Sequence, residues 1–264
     1  MAGDGYDNIA VTQDGSVATV ELRRPPYNYV SLELVRELAD AFEALDADND
    51  VRALVLAAEG RAFCAGGDFA NRDPEDDLKR VRMEPGGNPL YVEAVRLFRT
   101  AKPIVAAVEG AAVGAGLGLS LVADFRVSCP EARFSANFTR LGFHPGFGLT
   151  ATLPRAIGHT NAELMFMTSR RFKGEEARDL GLVSVLVPKG DVRQAALELA
   201  TEISHCSPLG TVETRRTMRG ELADQVRAAT DHELLVQGKL RRTSDYREGV
   251  RAMADRRIPN FTGT

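Results

Sequence analysis

Three glycine-bearing stretches carry the residues of this 264-residue chain whose types and spacing suit chemistry. Two of them, FCAGGDF (63–69) and GAAVGAGLGLS (110–120), read as turns leading from a strand into a helix. Glycine lets backbone approach closely. At a helix start the unbonded N–H groups point outward, and the dipole there favours negative charge. Two such turns that meet in space hold an oxyanion between two N–H donors; either turn alone reads as a helix-packing cluster. The third stretch, FTRLGFHPGFGLT (138–150), sets His144 among Gly142, Pro145, Gly146 and Gly148. An imidazole titrates near neutrality and suits a general acid or base. Its other role is a ring that hydrogen-bonds a loop carbonyl.

The remaining candidates have structural readings. Glu109 reads as a strand-end carboxylate, Asp68 as a loop acceptor, Asp124 as an acid at a strand start, and Cys64 as a buried thiol. No GxxxxGK[ST] is present, and Gly114, Gly116 and Gly118 lack the GxGxxG spacing, which excludes a phosphate loop and a dinucleotide fingerprint. Cys64, Cys129 and Cys206 form no CxxC pair, and the four histidines are scattered, so no metal site and no disulfide frame is expected.

These turns need strands and helices to position them. Residues 8–23 predict a hairpin about Asp14-Gly15, and Ser31 opens a helix to about Asp48 with an apolar stripe from Leu32 to Leu45. Strands are expected at 51–58, 103–108, DFRVSC and VSVLVP, and helices at 90–100, 115–123, 150–157, 160–167 and 174–180. Asp191 is expected to cap a helix with the stripe Val192, Ala195, Leu199 and Ile203, and two or three helices follow in 208–256. The charged, Pro- and Gly-bearing stretch 71–90 reads as a mobile pocket rim. Strand-then-helix units followed by a helical end give an α/β class.

A net charge of −4 favours neither nucleic acid nor an anionic membrane as partner. The longest apolar run is broken by Glu109 and four glycines, so no membrane span is expected. The cysteine usage fits a reducing cytoplasm.

The segments RAFCAGGDF and KPIVAAVEGAAVGAGLGLSLVADFRV resemble the two signature segments of the crotonase superfamily, the enoyl-CoA hydratase/isomerase family. VATVELRRPPYN, GEEARDLGLVSVLVP and SDYREGVRAMADRRIPNF are similar to its opening hairpin, post-core helix and strand, and closing helix, so the resemblance runs almost end to end. It implies a spiral of repeated ββα units (1–200) with the acyl-CoA site, and a C-terminal helical trimerisation region (201–264) giving a homotrimer or dimer of trimers. It implies an acyl-CoA thioester as substrate, of the kind met in fatty acid metabolism, and no cofactor beyond that coenzyme A. By position the oxyanion donors are the N–H groups of Gly67 and Ala115, and the adenine lies against Ala65, Gly66 and the backbone to Asp68. Losing one such donor costs about 3 kcal/mol in transition-state stabilisation.

The sequence departs from the family where protons move. The two glutamates of family hydratases fall at Gly118 and Phe138, and the single glutamate of its isomerases most often at Phe138. His144, six residues on, stands on a turn the family places near the acyl pocket. Three functions follow: an enolate-stabilising enzyme whose reaction differs from 2-enoyl-CoA hydration, a thioester or C–C hydrolase using His144, and an acyl-CoA-binding protein without chemistry. Tyr29 stands where the family often has a small residue, and Arg256 and Arg257 read as solvated helix charges or partners of a CoA phosphate.

Overall fold

Short apolar runs separated by turn residues set the scaffold. In the computed structural model, which describes residues 5–69 and 88–264, β1 (Ile9–Asp14) and β2 (Val17–Leu22) pair antiparallel about Gly15, at φ 54°. The sheet then continues in parallel through β3 (Ala53–Ala58), β5 (Ile104–Val108), β7 (Phe125–Ser128) and β10 (Val185–Leu186), in the order β1-β2-β3-β5-β7-β10. β5 is buried at every position, as the near-continuous apolar run of a central parallel strand requires.

A second sheet runs β4-β6-β8-β9, from Ala62–Cys64, Ala111–Val113, Arg133–Ser135 and Phe172–Lys173. Each turn of the chain contributes one strand to each sheet and then a helix. The units are β3–β4–α2 (Pro89–Arg99), β5–β6–α3 (Ala115–Ser120) and β7–β8 with α4 (Leu149–Ile157). This is the ββα spiral that the resemblance implies. Strands of two or three residues are too short to show an alternating pattern, so the second sheet is invisible to periodicity.

The helices follow the expected stripes with two corrections. α1 (Leu32–Ala47) buries Leu34, Val35, Leu38, Phe42 and Leu45, and Ser31 Oγ accepts from Leu34 N at 3.2 Å. α5 (His159–Thr168), α6 (Gly174–Asp179) and α7 (Val192–Ser204) follow. Asp191 makes no side-chain cap; it ends a 3-10 turn, Lys189–Asp191, whose backbone leads directly into α7. The buried face of α7 is Val192, Ala196, Ala200 and Ser204, because this helix lies flush on β3 and β5, where small side chains fit. Leu199 and Ile203 flank that line half-buried.

The C-terminal part is α8 (Pro208–Arg219), α9 (Leu222–Leu240) and α10 (Ser244–Ala254). α9 packs on α2 and α4, and α10 on the 3-10 turn Thr139–Leu141. The expected rim at 71–90 lies outside the described residues except for 88–90, where Asn88 caps α2. Among the described residues no helix is long and apolar enough to cross a membrane.

Candidate active site

The first glycine turn is clamped from the preceding strand connection. Asn28, fully buried at φ 50°, donates from Nδ2 to Glu59 O (2.7 Å) and Ala62 O (2.9 Å) and accepts from Arg24 N at 2.9 Å. Tyr27 O accepts from Ala65 N at 2.9 Å, and Gly66 O accepts from Val30 N at 2.8 Å. The second turn is fixed by Gly114 N, which donates to Ser135 O at 2.8 Å where β6 ends. α3 starts at the next residue.

The two turns meet backbone to backbone. A Cβ added to Gly66, at φ 81°, would lie 2.5 Å from Val113 O and 3.4 Å from Ala115 N; one added to Gly116 would lie 2.0 Å from Cys64 O. Only glycine permits this approach. Neither Gly67 N–H nor Ala115 N–H donates to a backbone acceptor among the described residues. Gly67 and Ala115 line one cavity of about 290 Å³, together with Ala65, Gly66 and Phe138. Asp68 stands beside this wall, half-buried, and is not part of it.

Much of the rest of the wall is aromatic. Phe143 packs edge-to-face with Phe69, Phe138 and Tyr246, each at 5.5 Å between ring centroids, and the Arg241 guanidinium lies 5.5 Å from its ring. A Cβ on Gly118 would meet Phe147 Cδ1 at 2.8 Å and Cβ at 3.1 Å, so the Phe147 ring fills the space that a side chain at 118 would need. Among the described residues no carboxylate and no imidazole lines the cavity.

Its titratable hydroxyls are Tyr29 and Tyr91. Tyr91 Oη donates to Gln237 Oε1 at 3.4 Å, and Gln237 Nε2 donates to His144 O at 3.0 Å and Pro145 O at 3.1 Å. A Cβ on Gly146 would lie 2.4 Å from Tyr91 Oη, so that glycine gives the phenol its place. Burial, reinforced by the charge of Glu233, holds the Tyr91 phenol well above its ordinary value. It therefore keeps its proton at neutral pH, on the cavity wall. Burial also raises Tyr29.

His144 is placed elsewhere. Its Nδ1 lies 2.9 Å from Pro145 O, its ring stands edge-on to His232 at 6.1 Å, and it is not part of the cavity wall. The loop around it is tied to α9 by Glu233, which accepts from Gly148 N (2.8 Å), Thr150 N (3.0 Å) and Thr150 Oγ1 (2.6 Å). Burial pushes the Glu233 carboxyl up, and those three bonds pull it partly back. Glu109 is likewise outside the cavity wall. Asp124 accepts from Ile104 N and Arg215 Nε, both at 2.8 Å, and from Arg219 Nε at 3.0 Å, a structural role. Burial drives the Cys64 thiol up to about 12, so it is no nucleophile at neutral pH.

The cavity opens into a cleft of about 1010 Å³ that shares Tyr29, Ala65, Val113 and Arg171 with it. Arg61, Arg133, Arg140 and Arg256 also line the cleft, and no acidic residue does among the described residues. Arg257, on the same wall, is paired with Glu248 at 2.5 Å. Tyr91, Gln237, Arg171 and Arg241 are wall residues that sequence reasoning missed. Gly146 held the one local hint, a glycine beside a proline with room for a distant side chain.

The chain matches the Enoyl-CoA hydratase/isomerase family over residues 12–264. It belongs to that family. A probable enoyl-CoA hydratase of Rhodobacter capsulatus is 31% identical over 98% of this chain and 99% of its own. A 1,2-epoxyphenylacetyl-CoA isomerase of Escherichia coli is 31% identical over 94% of this chain and 95% of its own. The crystal structure of an enoyl-CoA hydratase/isomerase from Pseudoalteromonas atlantica superposes with a TM-score of 0.84, at 28% identity, over 97% of this chain and 100% of that one. The fold is thus the crotonase spiral, with its helical C-terminal region.

Proposed function

We propose that this protein binds an acyl-CoA thioester with the carbonyl oxygen between Gly67 N–H and Ala115 N–H, and that its reaction runs through an enolate and is not 2-enoyl-CoA hydration. The observation that carries this reading is the seam of the two glycine turns, which sets both donors on one cavity. Negative charge that develops on the thioester oxygen meets two fixed donors in a largely dry site, where each acts strongly. The cationic cleft takes the diphosphate and 3′-phosphate of coenzyme A, and the backbone at Ala65–Asp68 takes the adenine. Phe138, Phe143 and Phe69 enclose the acyl group, which favours an apolar or aromatic one. Tyr91, held by Gln237, is the protonated group on the wall that gives a proton to the carbon end of the enolate, with solvent restoring it. The reaction needs no cofactor beyond the coenzyme A of the substrate. Exposed apolar side chains, Leu164 and Met167 on α5 and Leu209 on α8, support a homotrimer or dimer of trimers.

The test is solvent exchange. In D2O the purified protein is expected to introduce deuterium at the thioester α-carbon of an arylacetyl- or acyl-CoA, read by mass spectrometry. Rapid hydration of crotonyl-CoA would overturn the exclusion of hydration. A second reading, an acyl-CoA-binding protein without chemistry, is favoured by the lack of any carboxylate or imidazole on the described cavity wall. Tight acyl-CoA binding with neither exchange nor product supports it. Thioester or C–C cleavage that His144→Ala abolishes, with binding kept, assigns the hydrolase instead.

A further inference from the structure

Phe147 is held in a conformation that its side chain disfavours. Its φ is 63°, in the left-handed region. The other non-glycine residues at positive φ among the described residues are Asn28, Ser169 and Arg256, all polar. A bulky residue there is an outlier, and such strain persists only where the surrounding structure over-determines it. The ring is nonetheless well packed: Phe147 is 1% exposed, and it belongs to the wall of the chamber that holds Gly67 and Ala115.

Two side chains one turn apart on α9 supply the constraint. Before Phe147, Gln237 Nε2 donates to His144 O (3.0 Å) and Pro145 O (3.1 Å). After it, Glu233 accepts from Gly148 N (2.8 Å) and Thr150 N (3.0 Å). Positions four apart share one helix face, so both grips come from the same side. The flanking glycines let the chain come that close. A Cβ on Gly146 would lie 2.5 Å from Gln237 Nε2, and one on Gly148, at φ 70°, would lie 2.7 Å from Val226 Cγ1. With its backbone pinned to α9, Phe147 lays its ring against α3. A Cβ on Gly118 would meet that ring at 2.8 Å (Cδ1) and 3.3 Å (Cγ), so the ring rests on bare helix backbone. Gly118 is buried and is not part of the chamber wall, whereas Phe147 is. The ring therefore stands between this turn of α3 and the chamber of about 290 Å³.

We propose that Phe147 sets the size of the acyl group that this chamber accepts, its ring a stop on the α3 side that favours short or compact acyl groups over long linear ones. The inference rests on the acyl group lying in this chamber, as proposed above, and not on which reaction follows. A stop on a loop free to shift would yield to a longer chain. The grips of Glu233 and Gln237 keep the backbone under the ring in place, and the main chain at Gly118 backs the ring from behind.

Titration calorimetry on the full chain with butyryl-CoA and octanoyl-CoA tests the stop by the ratio of the two affinities. Phe147→Ala opens the ring's space, because the surroundings of a truncated core side chain relax only partly. Room for two more methylenes raises affinity about fifteenfold, so the octanoyl-to-butyryl ratio is expected to rise at least tenfold in that variant. Phe147→Leu, the milder truncation, is expected to raise it about fourfold, the effect of one methylene. Where Phe147→Ala fails to fold, Phe147→Leu carries the test. A ring that only fills the core would weaken both thioesters alike, so an unchanged or lower ratio in the folded variants overturns the proposal and leaves the thioester reading standing. Failure of the unaltered protein to bind either thioester overturns both.

Discussion

At the scale of single residues, the donor atoms and the wall atoms make different demands. Ala115 is the first residue of α3, where proline is tolerated because its missing N–H has no helical partner. Ala115→Pro is therefore expected to keep the fold and remove one donor, lowering turnover or α-carbon exchange about 10²–10³-fold with acyl-CoA binding kept. Equal rates in the two proteins would remove Ala115 from the proposed donor pair. Tyr91→Phe is expected to slow exchange at least tenfold, within the usual range of acid–base contributions, while a merely structural Tyr91 would leave the rate and shift only the melting temperature. Gly118→Glu does not create a hydratase: its Cβ meets Phe147 at 2.8 Å, and the expected outcome is lower stability with no gain in crotonyl-CoA hydration. The two glycine turns that meet were legible because glycine spacing is a local pattern. Tyr91 and Gln237 were not, because they are 146 residues apart and become partners only when α9 lies on α2.

At the scale of elements, two carboxylates, Glu233 fully buried and Asp124 half-buried, tie the spiral to its helical end. Glu233 on α9 satisfies two backbone N–H groups and one hydroxyl of the 148–150 turn. Glu233→Ala orphans them at about 1–3 kcal/mol per buried donor, an effect that urea unfolding will show as a lower midpoint. Asp124 joins α8 to β5 and β7. Burial raises its carboxyl, but Arg215 and Arg219 outweigh that and leave it below the usual carboxylate range. A carboxylate held low in the folded state contributes stability fully above its unfolded value, about 3.9, and loses it as pH falls through the folded value. Asp124→Asn is therefore expected to flatten the acid limb of a stability–pH profile below pH about 4; an unaltered limb would show that other groups set it. Elements with a full period, such as α1, were readable to within a residue or two. The two-residue strand β9 was not, since tertiary pairing alone makes it a strand; β10 falls inside the expected strand VSVLVP. The face of α7 was misplaced by one position because the sheet selects alanine, and a stripe of larger residues beside it misleads.

At the scale of the whole molecule, the winding was legible through ordered segments spread over the chain, whose sequence positions match successive ββα units. The assembly was not, since nothing local in a sequence distinguishes an exposed apolar side chain from an interface one. Sedimentation analysis is expected to give a trimer or a multiple of three; a monomer at micromolar concentration would leave Leu164, Met167 and Leu209 without the role proposed for them.

The contact between Gly66 and Val113 O, and between Gly116 and Cys64 O, has an evolutionary consequence. Main chain faces main chain there, so no side chain can be introduced without prising the turns apart. The surrounding rings are exchangeable parts. Substitutions among those rings reshape the chamber while the seam between the two turns stays as it is, so the seam is the part of this site that tolerates no drift.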